Sequence, residues 1–167
     1  MESELLIICC GNLYSSDDAV GLHVAWRLKN MKLPKGVQLI EAGTPGLNLL
    51  DLWEGVQQVI IVDAVMSGSA PGTIHLFDGA SLPPRDFLPL CLHGFNVIDA
   101  IDLARSMGRL PAELRILGIE ILTEEAYYKG LSEQVAAAVE PACERVLEEA
   151  AKMTSHGDGH PGRSIPE

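Results

Sequence analysis

The sequence is short of basic residues. Lysine and arginine total 12 against 23 aspartates and glutamates, a formal net charge of −11. Binding driven by phosphate neutralisation needs the opposite balance, which argues against a nucleic-acid partner. The same charge disfavours anionic membrane surfaces and suits a cationic partner or a metal ion. Long apolar runs are lacking too. The stretch Leu5-Leu6-Ile7-Ile8-Cys9-Cys10 has six residues, far below the roughly 20 that span a bilayer, so no membrane insertion is expected. Glu2 and Glu4 precede it, which does not read as a secretory signal. The four cysteines (Cys9, Cys10, Cys91, Cys143) show no paired zinc-knuckle spacing. With no export signal they read as reduced thiols in a cytoplasmic protein. Three catalytic fingerprints are missing as well. The G-x-G-x-x-G of dinucleotide sites and the P-loop do not occur, and Ser15 and Ser16 lack the G-x-S-x-G elbow of serine hydrolases.

What is there is apolar and alternating. Of 167 residues, 47% are hydrophobic, enough for one domain with a sizeable core. Leu5 to Cys10 reads as a central strand covered on both faces, and a helix is expected from about Asp17 to Met31. Val37 to Ala42 alternates like a strand and ends in the turn Gly43-Thr44-Pro45-Gly46. Leu47 to Trp53 suits a short helix. Val59 to Val65 is the strongest strand signal, and Thr73 to Phe77 is a further strand towards an edge. Residues 79–94 carry Pro83, Pro84 and Pro89 without a clean period and read as a long loop, a length that usually signals function or mobility. A helix from Phe95 to Met107, a strand from Glu113 to Ile121 and a last helix opened by Leu131-Ser132 complete the order. Pro141 lies inside that helix as a candidate kink. Strands alternating with helices predict a three-layer α/β/α sandwich around a mostly parallel, about five-stranded twisted sheet. One domain is expected over residues 1–152, with a polar, disordered tail over 153–167.

The organising stretch is Gly11-Asn12-Leu13-Tyr14-Ser15-Ser16-Asp17-Asp18-Ala19-Val20-Gly21, a turn from the first strand into the first helix. Such turns lie at the carboxyl ends of the strands, where ligands bind in open α/β sheets. Two readings stand for its adjacent acids. Ser16 caps the helix and Asp17 and Asp18 stabilise its first turn, or one acid caps while the other points into a cleft to hold a cation. Asp63 ends the most apolar strand, where an unpaired ionised carboxylate is costly; its bland role is to cap the following loop. His93 follows the proline-rich segment and is either a surface imidazole or a ligand. Asp17 or Asp18, Asp63 and His93 together would make an O,O,N site with open positions, suited to nickel or zinc. Cys91 adds only a weak C-x-H signal.

These residues resemble the signature of the [NiFe]-hydrogenase maturation endopeptidases. The likeness runs from Gly11-Asn12, Asp17-Asp18 and Gly21 through Glu41-Ala42-Gly43-Thr44-Pro45-Gly46. It continues in Val62-Asp63-Ala64, Gly68, Pro71-Gly72-Thr73, His93-Gly94, Gly118-Ile119-Glu120 and Gly130-Leu131-Ser132, covering about residues 4 to 150. The resemblance implies a cytoplasmic peptidase that removes a C-terminal peptide from the nickel-loaded precursor of a hydrogenase large subunit. It implies Asp18, Asp63 and His93 as metal-binding residues, with Asp18 and Asp63 also catalytic. Many family members carry Glu where this chain has Asp18, so Asp17 stays a weaker candidate. Nickel would arrive in the substrate, and no organic cofactor is expected. Two rival readings follow the same residues. Peptidyl-tRNA hydrolases also open on a strand and a Gly-Asn turn, but this chain lacks a basic surface for tRNA. A non-enzymatic nickel-delivery or sensing protein could use the same O,O,N site. Which hydrogenase is the client, and the oligomeric state, are not written in the sequence.

Overall fold

The computed structural model describes residues 5–82, 96–122 and 130–155. The elements run β1 (Leu5–Cys10), a 3-10 turn (Ser16–Ala19), α1 (Val20–Leu28), β2 (Val37–Gly43), α2 (Asn48–Leu52), β3 (Gln58–Val65), β4 (Ile74–Asp78), α3 (Val97–Ser106), β5 (Glu113–Glu120) and α4 (Glu133–Ser155). They build one five-stranded sheet in the order β2-β1-β3-β5-β4. All neighbours are parallel except β4, which pairs antiparallel with β5 at the edge. The expected sandwich is therefore present, with the strand over Ile74–Asp78 at an edge as its weaker pattern predicts.

Alternation along the strands sorts the core into two layers. Leu5, Ile7 and Cys9 of β1 face α1 and α4, where they meet Val24, Leu28, Val135 and Val146. Leu6, Ile8 and Cys10 face α2 and α3, where they meet Leu49, Trp53, Ala100 and Ile101. All six β1 residues are buried, as a continuous apolar run in a parallel strand requires.

Several element ends differ from the periodicity. The helix expected from Asp17 begins only at Val20, because Ser16 takes a left-handed φ of +41° and the chain first makes a tight 3-10 turn. α3 starts at Val97 because Asn96 and Asp99 close a capping box: the Asp99 N–H donates to Asn96 Oδ1 at 3.0 Å and the Asn96 N–H to Asp99 Oδ2 at 3.1 Å. α4 runs through Pro141. The carbonyl that loses its partner there belongs to Ala137, on the exposed face, where water can replace the bond. The helix also continues to Ser155 with Met153 buried, three residues past the domain end expected at 152. The long loop over 79–94 and the tail beyond Ser155 fall mostly outside the described residues.

This strand order sets the position of a site. From β1 the chain moves outward to β2 and then returns to place β3 on the other side of β1. The crevice at such a reversal, outside the carboxyl ends of β1 and β3, is where ligands bind in open α/β sheets. Among the described residues no helix is long and apolar enough to cross a membrane.

Candidate active site at the sheet reversal

Both acidic positions singled out above lie at these strand ends. The 3-10 turn follows β1, and Asp63 lies near the end of β3. Two glycines allow the turn to close over the strand ends. A Cβ at Gly21 would stand 1.9 Å from the Cys10 carbonyl oxygen and 3.0 Å from that of Val62, so only glycine lets α1 begin directly on β1 and β3. A Cβ at Gly11 would meet the Asp18 carbonyl oxygen at 2.6 Å. The signature glycines are therefore spacing elements that bring the acidic turn against the sheet.

The adjacent acids part company here. Successive side chains in a 3-10 turn diverge by about 120°. Asp17 turns inward and is completely buried. Its Oδ1 accepts the Ser132 N–H at 2.6 Å, and its Oδ2 accepts the Ser132 hydroxyl at 2.8 Å and the Leu122 N–H at 3.1 Å. The neighbouring Ser16 hydroxyl donates to the Gly130 carbonyl at 3.0 Å. Asp17 thus ties the end of β5 and the entry to α4 onto the first turn of the chain. Ser16 does not cap α1, because its hydroxyl is spent on Gly130. The Ser132 hydroxyl, expected to cap α4, donates to Asp17.

Asp18 is left only partly buried, and its charge reaches Asp63. Burial, chiefly, and then the Asp18 carboxylate push Asp63 up from 3.8 to about 7; the Ala64 N–H, which donates to Asp63 Oδ1 at 2.8 Å, pulls the other way. Asp63 Oδ1 thus takes the N–H of its own neighbour within β3 and does not cap the loop that follows. Two carboxylates that repel each other at a strand-end crevice form an acid–base pair poised near neutrality or a half-built cation site. His93, the expected third ligand, lies outside the described residues, as does Cys91. Among the described residues no three histidine, cysteine or acidic side chains converge on a common point. Cys9, Cys10 and Cys143 are buried thiols. Burial pushes Cys9 up, and Cys143 up to about 11, which suits packing rather than nucleophilic chemistry.

A further buried carboxylate, named above only within the family signature, is given no role by the sequence. Glu120, the last residue of β5, is 2% exposed. Its Oε1 accepts the Ser67 N–H at 2.6 Å and the Gly68 N–H at 3.0 Å; its Oε2 accepts the Ser67 hydroxyl at 2.8 Å and lies 3.1 Å from His75 Nε2. Glu120 thus fixes the loop that leaves β3 two residues beyond Asp63. The available signal was a single carboxylate ending the apolar run Ile116-Leu117-Gly118-Ile119. His75, on the edge strand β4, brings its Nε2 within hydrogen-bond distance of that carboxylate.

Similarity to known proteins agrees with this geometry. A family model described as hydrogenase maturation protease matches residues 22–149, a span that begins just beyond Asp18 and includes Asp63 and His93. The hydrogenase 2 maturation protease of Escherichia coli is 30% identical over 86% of this chain and 88% of its own length. The hydrogenase expression/formation protein HoxM of Azotobacter vinelandii is 30% identical over 97% of this chain and 81% of its own. Among solved structures, the hydrogenase maturating endopeptidase HybD of E. coli superposes with a TM-score of 0.72 at 27% identity, covering 89% of this chain and 93% of that one. The [NiFe]-hydrogenase maturation protease HybD of Thermococcus kodakarensis gives 0.66 at 26% identity, with 88% and 99% covered. This chain belongs to the hydrogenase maturation protease family, and it is a peptidase.

Proposed function

We propose that this peptidase removes a C-terminal peptide from the nickel-loaded precursor of a [NiFe]-hydrogenase large subunit, and that Asp18, Asp63 and His93 recognise the nickel. The observation that carries this reading is the placement of Asp18 and Asp63 at the ends of the neighbouring strands β1 and β3, where burial and the Asp18 charge both raise Asp63. A carboxyl pushed up to about 7 by burial first and by a neighbouring like charge second gains from a cation placed between the two acids. Nickel bound to cysteines of the precursor retains vacant positions and enters as part of the substrate. Two carboxylates and an imidazole match its taste for mixed O and N donors. His93 enters by its place in the family motif.

The chemistry follows from the same pair. Before the substrate arrives, Asp63 holds its proton through most of the range below neutrality, which lessens the clash with Asp18. Docking of the cation favours both ionised forms and releases that proton. Asp63 Oδ1 is engaged by the Ala64 N–H, so Oδ2 is the atom left to take a proton from water attacking the scissile carbonyl. Nickel supplies either charge stabilisation at that carbonyl or a fixed point that brings the bond to the acids. The soluble cytoplasm is the expected compartment.

Mass spectrometry of a large-subunit precursor incubated with the protein, with and without nickel loading, tests the proposal. Release of a C-terminal fragment only from the nickel-loaded form is expected. Equal cutting of the nickel-free form would remove nickel recognition from the account. Tight binding of free nickel by the protein alone, with no cutting of any precursor, would favour a delivery role instead.

A further inference from the structure

Exposed apolar side chains are not scattered evenly over this molecule. Seven large hydrophobic residues among those described are substantially exposed, and five of them stand on the loops that leave the carboxyl end of the sheet. Leu47 (52% exposed) follows β2, Leu13 (40%) and Tyr14 (70%) follow β1, Met66 (36%) follows β3 and Leu122 (53%) follows β5. Strands β2, β1, β3 and β5 are consecutive neighbours in the sheet. The five residues therefore follow four adjacent strand ends, two of which, β1 and β3, also carry Asp18 and Asp63.

The set is built rather than loose. Beside each of three members a backbone amide is pinned by a side-chain acceptor. The Tyr14 N–H donates to Asn12 Oδ1 at 3.0 Å. The Leu122 N–H donates to Asp17 at 3.1 Å, and the Ser67 N–H next to Met66 donates to buried Glu120 at 2.6 Å. Apolar groups held out to water on fixed backbone lose little further freedom on binding, which is how a preformed recognition surface keeps its affinity. Contiguous exposed apolar area on a soluble protein commonly marks an interaction site.

We infer that these five side chains form a docking rim for the folded body of the protein substrate, resting on the peptidase reading above. Three strand spacings separate β2 from β5, roughly 14 Å, wider than one extended peptide. A rim of that width grips a protein surface on both sides of the bond being cut, while the acids between its halves meet the bond itself. A second copy of this chain seated there would close the crevice to any substrate, so the protein substrate is the fitting occupant. Asp17 and Glu120 then each have a second use, since Asp17 holds the Leu122 backbone and Glu120 the loop after Met66.

The test uses the full chain and a nickel-loaded hydrogenase large-subunit precursor as probe, with initial rates followed by mass spectrometry. Two paired variants, Tyr14→Ser with Leu122→Ser and Leu47→Ser with Met66→Ser, should raise KM about tenfold or more while kcat changes far less. Their urea midpoints should match the parent, because the altered side chains are exposed. An unchanged KM, or a fall confined to kcat, overturns the rim. If the parent cuts no precursor, the peptidase step itself fails. Titration of the precursor against parent and variants then decides the rim alone, with weaker binding by the variants supporting it and equal binding overturning it. Sedimentation velocity provides the last arm: a parent dimer that the variants disperse would assign the surface to a second copy and overturn the proposal.

Discussion

The two ends of the sheet meet solvent in different ways. At the amino end, polar groups close on one another. Arg109 reaches Asp51 and Glu54 at 3.4 and 3.3 Å, its carbonyl accepts the Trp53 indole N–H at 3.0 Å, and Arg115 meets Asp78 at 3.3 Å. Opposite charges meet there, and among the described residues the strongly exposed apolar side chain in those connections is Met107. At the carboxyl end, like charges face each other across the reversal, a non-glycine residue sits at positive φ, and apolar side chains stand in water. One end is arranged for stability alone. The other spends stability on unfavourable features, and unfavourable features that persist in a fold tend to gather where it acts.

Substitutions sharpen that contrast, beginning with the largest effect. Asp18→Asn or Asp63→Asn should lower precursor processing by about a hundredfold or more, the scale of a lost acid–base group. Unfolding midpoints in urea should hold or rise, since each change removes a repulsion. Processing by either variant at the parent rate would place the chemistry elsewhere. Asp17→Ala should do the opposite. It strips three hydrogen bonds from a buried carboxylate, so the urea midpoint should drop by the equivalent of about 3 kcal/mol or more, with activity following the folded fraction. A mild loss would mean that Leu122 and Ser132 find other partners. The smallest effect belongs to the amino end. Arg109→Ala removes pairs whose acidic members are largely exposed and should cost below about 1 kcal/mol, with KM and kcat unchanged.

Which parts of this contrast were readable beforehand follows from how local each signal is. The strands and the two-layer core were legible because apolar periodicity is a local record of burial, as in Leu5–Cys10 and Val59–Val65. Asp63 drew notice because an ionised carboxylate ending such a run is costly when unpaired, and what the structure adds is its burial and its bond from the Ala64 N–H. The separate fates of Asp17 and Asp18 were not, because they depend on Ser132 and Leu122, which lie more than a hundred residues away and come near only after folding. Ser16 illustrates the same limit. Its residue type predicts a helix cap, yet its hydroxyl finds Gly130 across the fold. Glu120 stood in the signature without a role for a related reason, since the amides it accepts belong to a loop more than fifty residues earlier.

Burial of Asp63, with the Asp18 charge beside it, also gives the molecule a pH signature. Asp63 titrates near 3.8 in an unfolded chain and near 7 in the folded one. Between those values the folded state holds a proton that the unfolded state has lost. The contribution of this group to stability therefore falls as pH rises from about 4 to about 7, the reverse of a salt-bridged aspartate.

The most direct measurement follows the Asp63 carboxyl carbon by NMR across pH, in the parent and in Asp18→Asn. A parent midpoint near 7, moving down in Asp18→Asn but staying above 3.8 because burial persists, is the predicted result. An ordinary midpoint near 4 in the parent, or one that ignores the loss of the Asp18 charge, would contradict a site built on two facing acids.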